Sequence, residues 1–334
     1  MYRKIIKKYS ILENEAICLN HGFWKVYNNS LIKINWKRNT SFLKKRIGSY
    51  RNLELIFYFK KNDKCKRLVD FVTQTPKGSL AISFADKFVY YNLEAQFNHA
   101  VFEKKLNVFS KKMNTAKIEY LPDLDIYISP YYEGTLFQKL STKRDKEKAL
   151  LKFIDSVLSC TSFLDEVKMQ SYKDSYKLAF LIVKRNNFFK IELSKKNIIN
   201  IKNLLNSSKL IEGHGDLSVN NVIFFPDNDY VAIDWFDAFQ IIPDWFDATH
   251  ILCTKGIELL FDSLFFSNVI NSLSKELDLK EVTPMDLFIA WRIAWATNRS
   301  TISGSLDLSL FEKNVQFSLG EGIKKLKDNN ICIT

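Results

Sequence analysis

The 334-residue chain is poor in the residues that punctuate or staple a fold, with 10 Gly, 6 Pro, 5 Cys and 4 His. So little Gly and Pro excludes a collagen-like or low-complexity chain, and 46% hydrophobic with 26% charged residues excludes disorder. The cysteines (Cys18, Cys65, Cys160, Cys253 and Cys332) lie far apart and form no C-x-x-C pair. That spacing argues against a disulfide framework or a zinc site. Long apolar runs are missing as well. The greasiest stretch, 257–270, carries Glu258 and Asp262 and falls short of the roughly 18 apolar residues a membrane span needs. The basic N-terminus has no apolar segment of signal-sequence length. The cytoplasm is the expected compartment.

What the chain has in excess is positive charge: 49 Lys and Arg against 37 Asp and Glu, a formal net charge of +12 spread along the whole length. Such a background suits any polyanion, whether nucleic acid, an anionic membrane touched peripherally, or a phosphorylated substrate. A nucleic-acid binder would interleave aromatics with Lys or Arg on an exposed sheet. Residues 87–92 (KFVYYN) and 187–192 (NFFKIE) can be read so, yet both are ordinary amphipathic elements. Nucleic acid is therefore disfavoured.

The length fits two modest domains or one two-lobed enzyme. Bulky and β-branched residues around polar turns predict strands in 23–36 about Asn28-Asn29-Ser30, in 50–59, in 68–84 about Pro76-Lys77-Gly78-Ser79, and in 87–92. A helix is expected over 93–109, then paired strands in IEYL and DIYIS. From about 147 apolar residues recur at three and four, the helical period, interrupted only by 214–236. The predicted class is α+β. Its expected parts are a partly strand-forming extension (1–66), a strand-rich N-terminal lobe (67–128), a connector (129–136) and a helical C-terminal lobe (137–334).

The interrupting segment carries the chemistry. In His214-Gly215-Asp216-Leu217-Ser218-Val219-Asn220-Asn221 a histidine, a carboxylate and an amide stand at relative positions 0, 2 and 7, followed by VIFF, the turn PDND and VAI ending at Asp234. Two strands joined by a tight turn bring their open ends together, so Asn221 and Asp234 are expected side by side with Asp216 just before them. Carboxylate and amide oxygens suit Mg²⁺, a hard cation that takes few protein ligands. The sequence offers no second histidine nearby for a zinc-type site.

This pattern resembles the phosphotransferase family of aminoglycoside and choline kinases, itself similar to protein kinases, which use H-R-D-x-x-x-x-N and D-F-G for the same work. The resemblance implies a bilobal protein kinase-like fold and ATP- and Mg²⁺-dependent phosphoryl transfer to a hydroxyl. It casts Asp216 as the aspartate that orients and deprotonates the acceptor, His214 as the loop's hydrogen-bonding support, and Asn221 and Asp234 as the Mg²⁺ ligands. It also makes Asp247, in Ile241-Ile242-Pro243-Asp244-Trp245-Phe246-Asp247-Ala248, the counterpart of an aspartate that holds the catalytic loop.

A site of this type needs a strand lysine on the phosphates and a helix glutamate to orient it. Lys87 with Glu103 and Lys33 with Glu54 are the two candidate pairs, and Tyr132 in the connector is the candidate at the adenine. No G-x-G-x-x-G or G-x-x-x-x-G-K-[ST] occurs, which disfavours a Rossmann or Walker site.

For the acceptor, the basic background favours an anionic sugar or surface-glycan precursor over a polycationic aminoglycoside. A choline or ethanolamine kinase would call for an aromatic cage, for which Trp235, Trp245, Trp291 and Trp295 are candidates; the last two equally fit a core helix. A basic nucleic-acid-binding protein is the opposing class, and a catalytically silent kinase-like scaffold is a third.

Overall fold

The structure, a computed structural model, describes residues 10–12, 17–19, 22–27, 30–33, 54–58, 67–75, 78–93, 98–159, 166–186, 193–206, 209–227, 229–237, 239–273 and 281–331. Of the expected turns, Asn28, Asn29, Pro76, Lys77 and Asn228 lie outside them, as does the 187–192 segment. The chain forms two compact units, Met1–Val101 with Ala116–Glu133, and Phe102–Thr115 with Gly134–Thr334. The first is rich in strands and the second in helices, as expected of an α+β chain. Among the described residues no helix is long and apolar enough to cross a membrane.

The first unit is built on strands β1 (Ile17–Leu19), β2 (Gly22–Tyr27), β3 (Ser30–Lys33), β4 (Glu54–Tyr58), β5 (Arg67–Val69), β6 (Phe71–Thr75), β7 (Gly78–Ser83), β8 (Phe88–Leu93), β9 (Glu119–Leu121) and β10 (Ile126–Pro130). An eight-stranded sheet has the order β4-β2-β3-β6-β7-β8-β10-β9, and all its pairs are antiparallel. The 1–66 stretch, expected as an extension, thus contributes three strands to the same sheet as its neighbours.

Successive strand residues point to opposite faces, and both faces here are apolar. Val72, Ala81, Tyr90 and Ile128 join Ile11, Ile17 and Leu19 in one cluster, while Phe71, Ile82 and Val89 form another. Gly78, with φ +140°, is where β7 runs tightest against β8: a Cβ there would sit 2.0 Å from the Asn92 carbonyl oxygen. The glycine of the expected turn Pro76-Lys77-Gly78-Ser79 is thus required by strand packing.

Helix α1 (His99–Ser110) starts six residues later than the apolar pattern suggested, and from Phe102 onward it belongs to the second unit. That unit continues with β11 (Thr135–Leu136), α2 (Lys143–Leu158), α3 (Glu166–Arg185), α4 (Lys195–Asn206), β12 (Leu210–Gly213), β13 (Val222–Phe224), β14 (Tyr230–Ala232) and β15 (Gln240–Pro243). Helices α5 (Phe246–Thr254), α6 (Ile257–Leu260), α7 (Ser263–Leu273), α8 (Pro284–Ser300) and α9 (Leu308–Asp328) complete it. Strand β12 was hidden in the sequence because four residues between helices show no period.

Helix α8 runs through the core. Its Trp291 stacks on Phe246 of α5 at 5.6 Å, and its Arg292 donates from Nη2 to the Cys253 carbonyl at 2.9 Å. Lys325 of α9 donates to the Thr254 carbonyl at 3.2 Å, so two cations cap the C-terminus of α5, where the helix dipole favours them. Burial pushes the Arg292 guanidinium down to about 10 and the Lys325 amine down to about 8.

The start of α8 is fixed by a capping box, with Thr283 and Asp286 exchanging side chain-to-backbone bonds. Asp286, fully buried, also accepts from Asn197 Nδ2 at 2.7 Å and Asn200 Nδ2 at 2.9 Å. Asp286→Ala strands these buried donors, and a loss of about 3 kcal/mol is expected in urea unfolding; a change below about 1 kcal/mol would contradict this account of the junction.

Candidate active site

Strands β12 and β15 pair antiparallel, with Gly213 opposite Gln240, so the chain leaves β12 straight into the loop 214–221. Strands β13 and β14 pair with Val222 opposite Ala232. The Ile233 N–H donates to the Asn221 carbonyl at 2.8 Å, which sets Asp234 one residue beyond the partner of Asn221. The expected hairpin is present and brings Asp216, Asn221 and Asp234 to one end of it.

The loop is fastened at several points. Asp247, in the first turn of α5, is 2% exposed and accepts from the His214 N–H at 2.6 Å and the Gly215 N–H at 2.9 Å. Burial pushes its carboxyl up to about 7 against the opposing pull of the Gly215, His214 and Leu217 N–H groups. Gly215 has φ +77°, and a Cβ there would lie 2.5 Å from the Gln240 side chain. Only glycine allows both that backbone turn and that approach.

His214 is also a support rather than a free base. Its Nδ1 accepts from the Asp216 N–H at 3.3 Å, which leaves the proton on Nε2 to be donated to the Ile233 carbonyl at 3.0 Å. The imidazole therefore ties the loop to the far strand of the hairpin, and its ring packs edge-on to Trp235 at 4.8 Å.

Asn221 closes the loop by donating from Nδ2 to the Asp216 carbonyl at 2.8 Å, with Asp216 Oδ2 at 3.4 Å from the same nitrogen. With the amide nitrogen committed, Oδ1 is the atom of Asn221 suited to a cation. Asp234 is exposed and sits in the left-handed region at φ +65°. Trp235, fully buried, packs against Phe109 at 5.2 Å, and Phe236 stacks on Phe102 at 5.1 Å. This turn sends the aromatics into the core and leaves the carboxylate outside. A carboxylate and an amide oxygen at one strand end are hard donors that fit Mg²⁺.

The nucleotide-side candidates fare differently. Lys87 was expected on a strand, but it lies in the turn 84–87 before β8 with φ 58°. The Ser83–Asp86 side-chain bond shapes that turn, and Lys87's ion pair is with Glu133 at 3.7 Å, both side chains being exposed. Glu103 is exposed on α1. Lys33 ends β3 and Glu54 begins β4; their side chains lie outside the described residues. Tyr132 accepts the Lys117 N–H on its hydroxyl at 2.9 Å.

Three residues at the loop escape a reading of the sequence. Gln240 of β15 lies against Gly215, and its Oε1 accepts from Asn298 Nδ2 of α8. His250, one helical turn beyond Asp247, places Nε2 at 3.6 Å from Asp216 Oδ1. The sequence offered no second histidine near His214; the fold supplies one. An Asp and a His at i and i+3 share a helix face, and that spacing was the available signal.

No family model matches the sequence, and no curated protein matches it. Solved structures do. An ADP-bound aminoglycoside phosphotransferase, APH(2'')-Ib, is 17% identical with a TM-score of 0.42, covering 75% of this chain and 92% of its own. The choline kinase LicA from Streptococcus pneumoniae is 12% identical with a TM-score of 0.43, covering 77% and 93%. A choline/ethanolamine kinase family protein from Mesorhizobium loti is 9% identical with a TM-score of 0.43, covering 76% and 86%. The chain is similar in structure to these proteins.

Asp247 yields a pH test. Its folded-state value is raised, so the folded protein holds a proton that the unfolded chain has lost between about pH 4 and about pH 7. Its contribution is fully present below that window and is lost as pH rises through it. The stability of the wild type relative to Asp247→Asn, from urea midpoints, should therefore fall from pH 4.5 to 7.5. A difference independent of pH would remove the raised carboxyl.

Proposed function

We propose that this chain is an ATP- and Mg²⁺-dependent small-molecule kinase that transfers the γ-phosphoryl group to a hydroxyl of a sugar or surface-glycan precursor. One observation carries the reading: Asp216 stands on a loop whose backbone is held by Asp247, His214 and Asn221, beside the hard oxygens of Asn221 and Asp234. Phosphoryl transfer asks a protein mainly for alignment and charge stabilisation. A half-exposed carboxylate on a fastened loop can accept the proton of an acceptor hydroxyl and fix its line of approach.

Asn221 Oδ1 and Asp234 would hold Mg²⁺, which neutralises charge on the nucleotide phosphates when bound. Lys87 and Lys33 remain the lysines proposed for those phosphates, with Glu103 and Tyr132 on the same side of the reading.

Features of the helical unit support this acceptor class. The acids that could have drawn a polycation are already engaged: Asp262 with Lys143 at 2.6 Å, Glu258 with Lys146 at 3.0 Å and Glu281 with Lys196 at 3.4 Å. Asp286 is consumed by its capping box. Of the four tryptophans a choline cage could use, Trp235 and Trp245 are fully buried and Trp291 is 2% exposed. What meets the loop from β15 is Gln240, held in turn by Asn298 of α8, and amides suit a hydroxylated ligand.

Asp216→Asn is expected to lower MgATP turnover by about 100-fold or more, with nucleotide affinity kept within a few-fold. Unchanged turnover, measured with sugars, amino alcohols and aminoglycosides in parallel, would sink the role of Asp216. Asp234→Ala should weaken Mg²⁺-dependent ATP binding about tenfold or more in calorimetry; normal binding would take Asp234 out of the metal site.

A further inference from the structure

Helix α5 delivers two side chains to the loop. Asp247 holds its backbone, and His250, one turn on, faces its reactive carboxylate: Nε2 lies 3.6 Å from Asp216 Oδ1. The ring is held edge-on by Phe246 at 5.7 Å and Trp291 at 4.9 Å, so its aim is set by packing. Nδ1 is buried with no hydrogen-bond partner. An orphaned buried polar atom costs about 1–3 kcal/mol, and an apolar ring would fill this aromatic slot without that cost. The other nitrogen, the one aimed at Asp216, accounts for a histidine here.

The tautomer follows from the same contacts. A neutral imidazole has one N–H; on Nδ1 it would find no acceptor, and the Nε2 lone pair would confront a carboxylate oxygen. The proton therefore belongs on Nε2. Burial above all, with the cations Arg292, Arg299 and Lys325 adding to it, pushes His250 down to about 3, so the ring is neutral at physiological pH. A neutral donor orients a carboxylate without setting a positive charge against the proton that it must accept.

We propose that His250 is a positioning residue: its Nε2–H, turned to Asp216 Oδ1 while Asn221 Nδ2 stands at Oδ2, sets the rotamer in which Asp216 meets the acceptor hydroxyl. The proposal rests on the reading of Asp216 as the proton acceptor. At 3.6 Å the contact lies just outside hydrogen-bond range, and contacts of this kind shorten when the reactants close the site.

Two measurements test it. With four histidines in the chain, selective ¹⁵N labelling resolves His250, which is expected as a neutral Nε2–H tautomer at pH 7 whose Nε2 resonance moves in Asp216→Asn. In MgATP turnover, with water or a sugar as acceptor, His250→Phe keeps the aromatic slot and removes the donor. It should lower kcat about 10- to 100-fold with KM for MgATP within about twofold, while His250→Gln recovers part of the loss.

An Nδ1–H tautomer, a resonance indifferent to Asp216→Asn, or a kcat in His250→Phe near that of the wild type overturns the proposal. If His250→Phe does not fold, the labelled wild type and Asp216→Asn still decide it. A wild type that turns over no MgATP overturns the phosphotransfer reading alone, and the resonance still judges the contact.

Discussion

The carboxylate of Asp247, taken out of water and set against the N–H groups of His214 and Gly215, is the interaction on which the rest of the site depends. Burying a carboxyl is costly, and the cost is visible in its raised value, about 7. The return is geometric: the backbone of His214 and Gly215, the two residues before Asp216, is pinned. A loop so held keeps the Asp216 side chain at one place.

The fastening is redundant by design of the hairpin. His214 reaches across to the Ile233 carbonyl, Asn221 reaches back to Asp216, and the Ile233 N–H closes on Asn221. The first and last of these bonds cross from the loop to the far strand end and the second closes the loop on itself, so Asp216 and Asn221 are positioned relative to one another and to the strand end that carries Asp234. The aromatic residues that follow Asp234 complete this. Trp235 and Phe236 go into the core against α1, and the carboxylate is turned outward because its neighbours are turned inward.

Charge plays a narrower part than the net +12 suggests. Several lysines are spent on particular partners, as in Lys143 with Asp262 and Lys146 with Glu258, and exposed pairs of this kind add little stability. The two cations at the end of α5, Arg292 and Lys325, are structural caps. One helix thus carries a loop-holding acid at its start, an imidazole facing Asp216 in its middle and a positively capped C-terminus.

The sequence by itself determined the α+β class, the β13–β14 hairpin and the convergence of Asp216, Asn221 and Asp234, because these depend on residues close in the chain and on a turn that leaves one pairing. It also placed Asp247 through its resemblance to a known pattern. It put Lys87 on a strand, where a turn residue next to a strand reads like the strand itself. The places of His250, Gln240 and Asn298 were decided by the tertiary structure. His250 and Gln240 reach the loop from α5 and β15, and Asn298 of α8 holds Gln240; contacts between elements tens of residues apart are set by how cores pack, and the i, i+3 spacing of Asp247 and His250 is the one local trace of them.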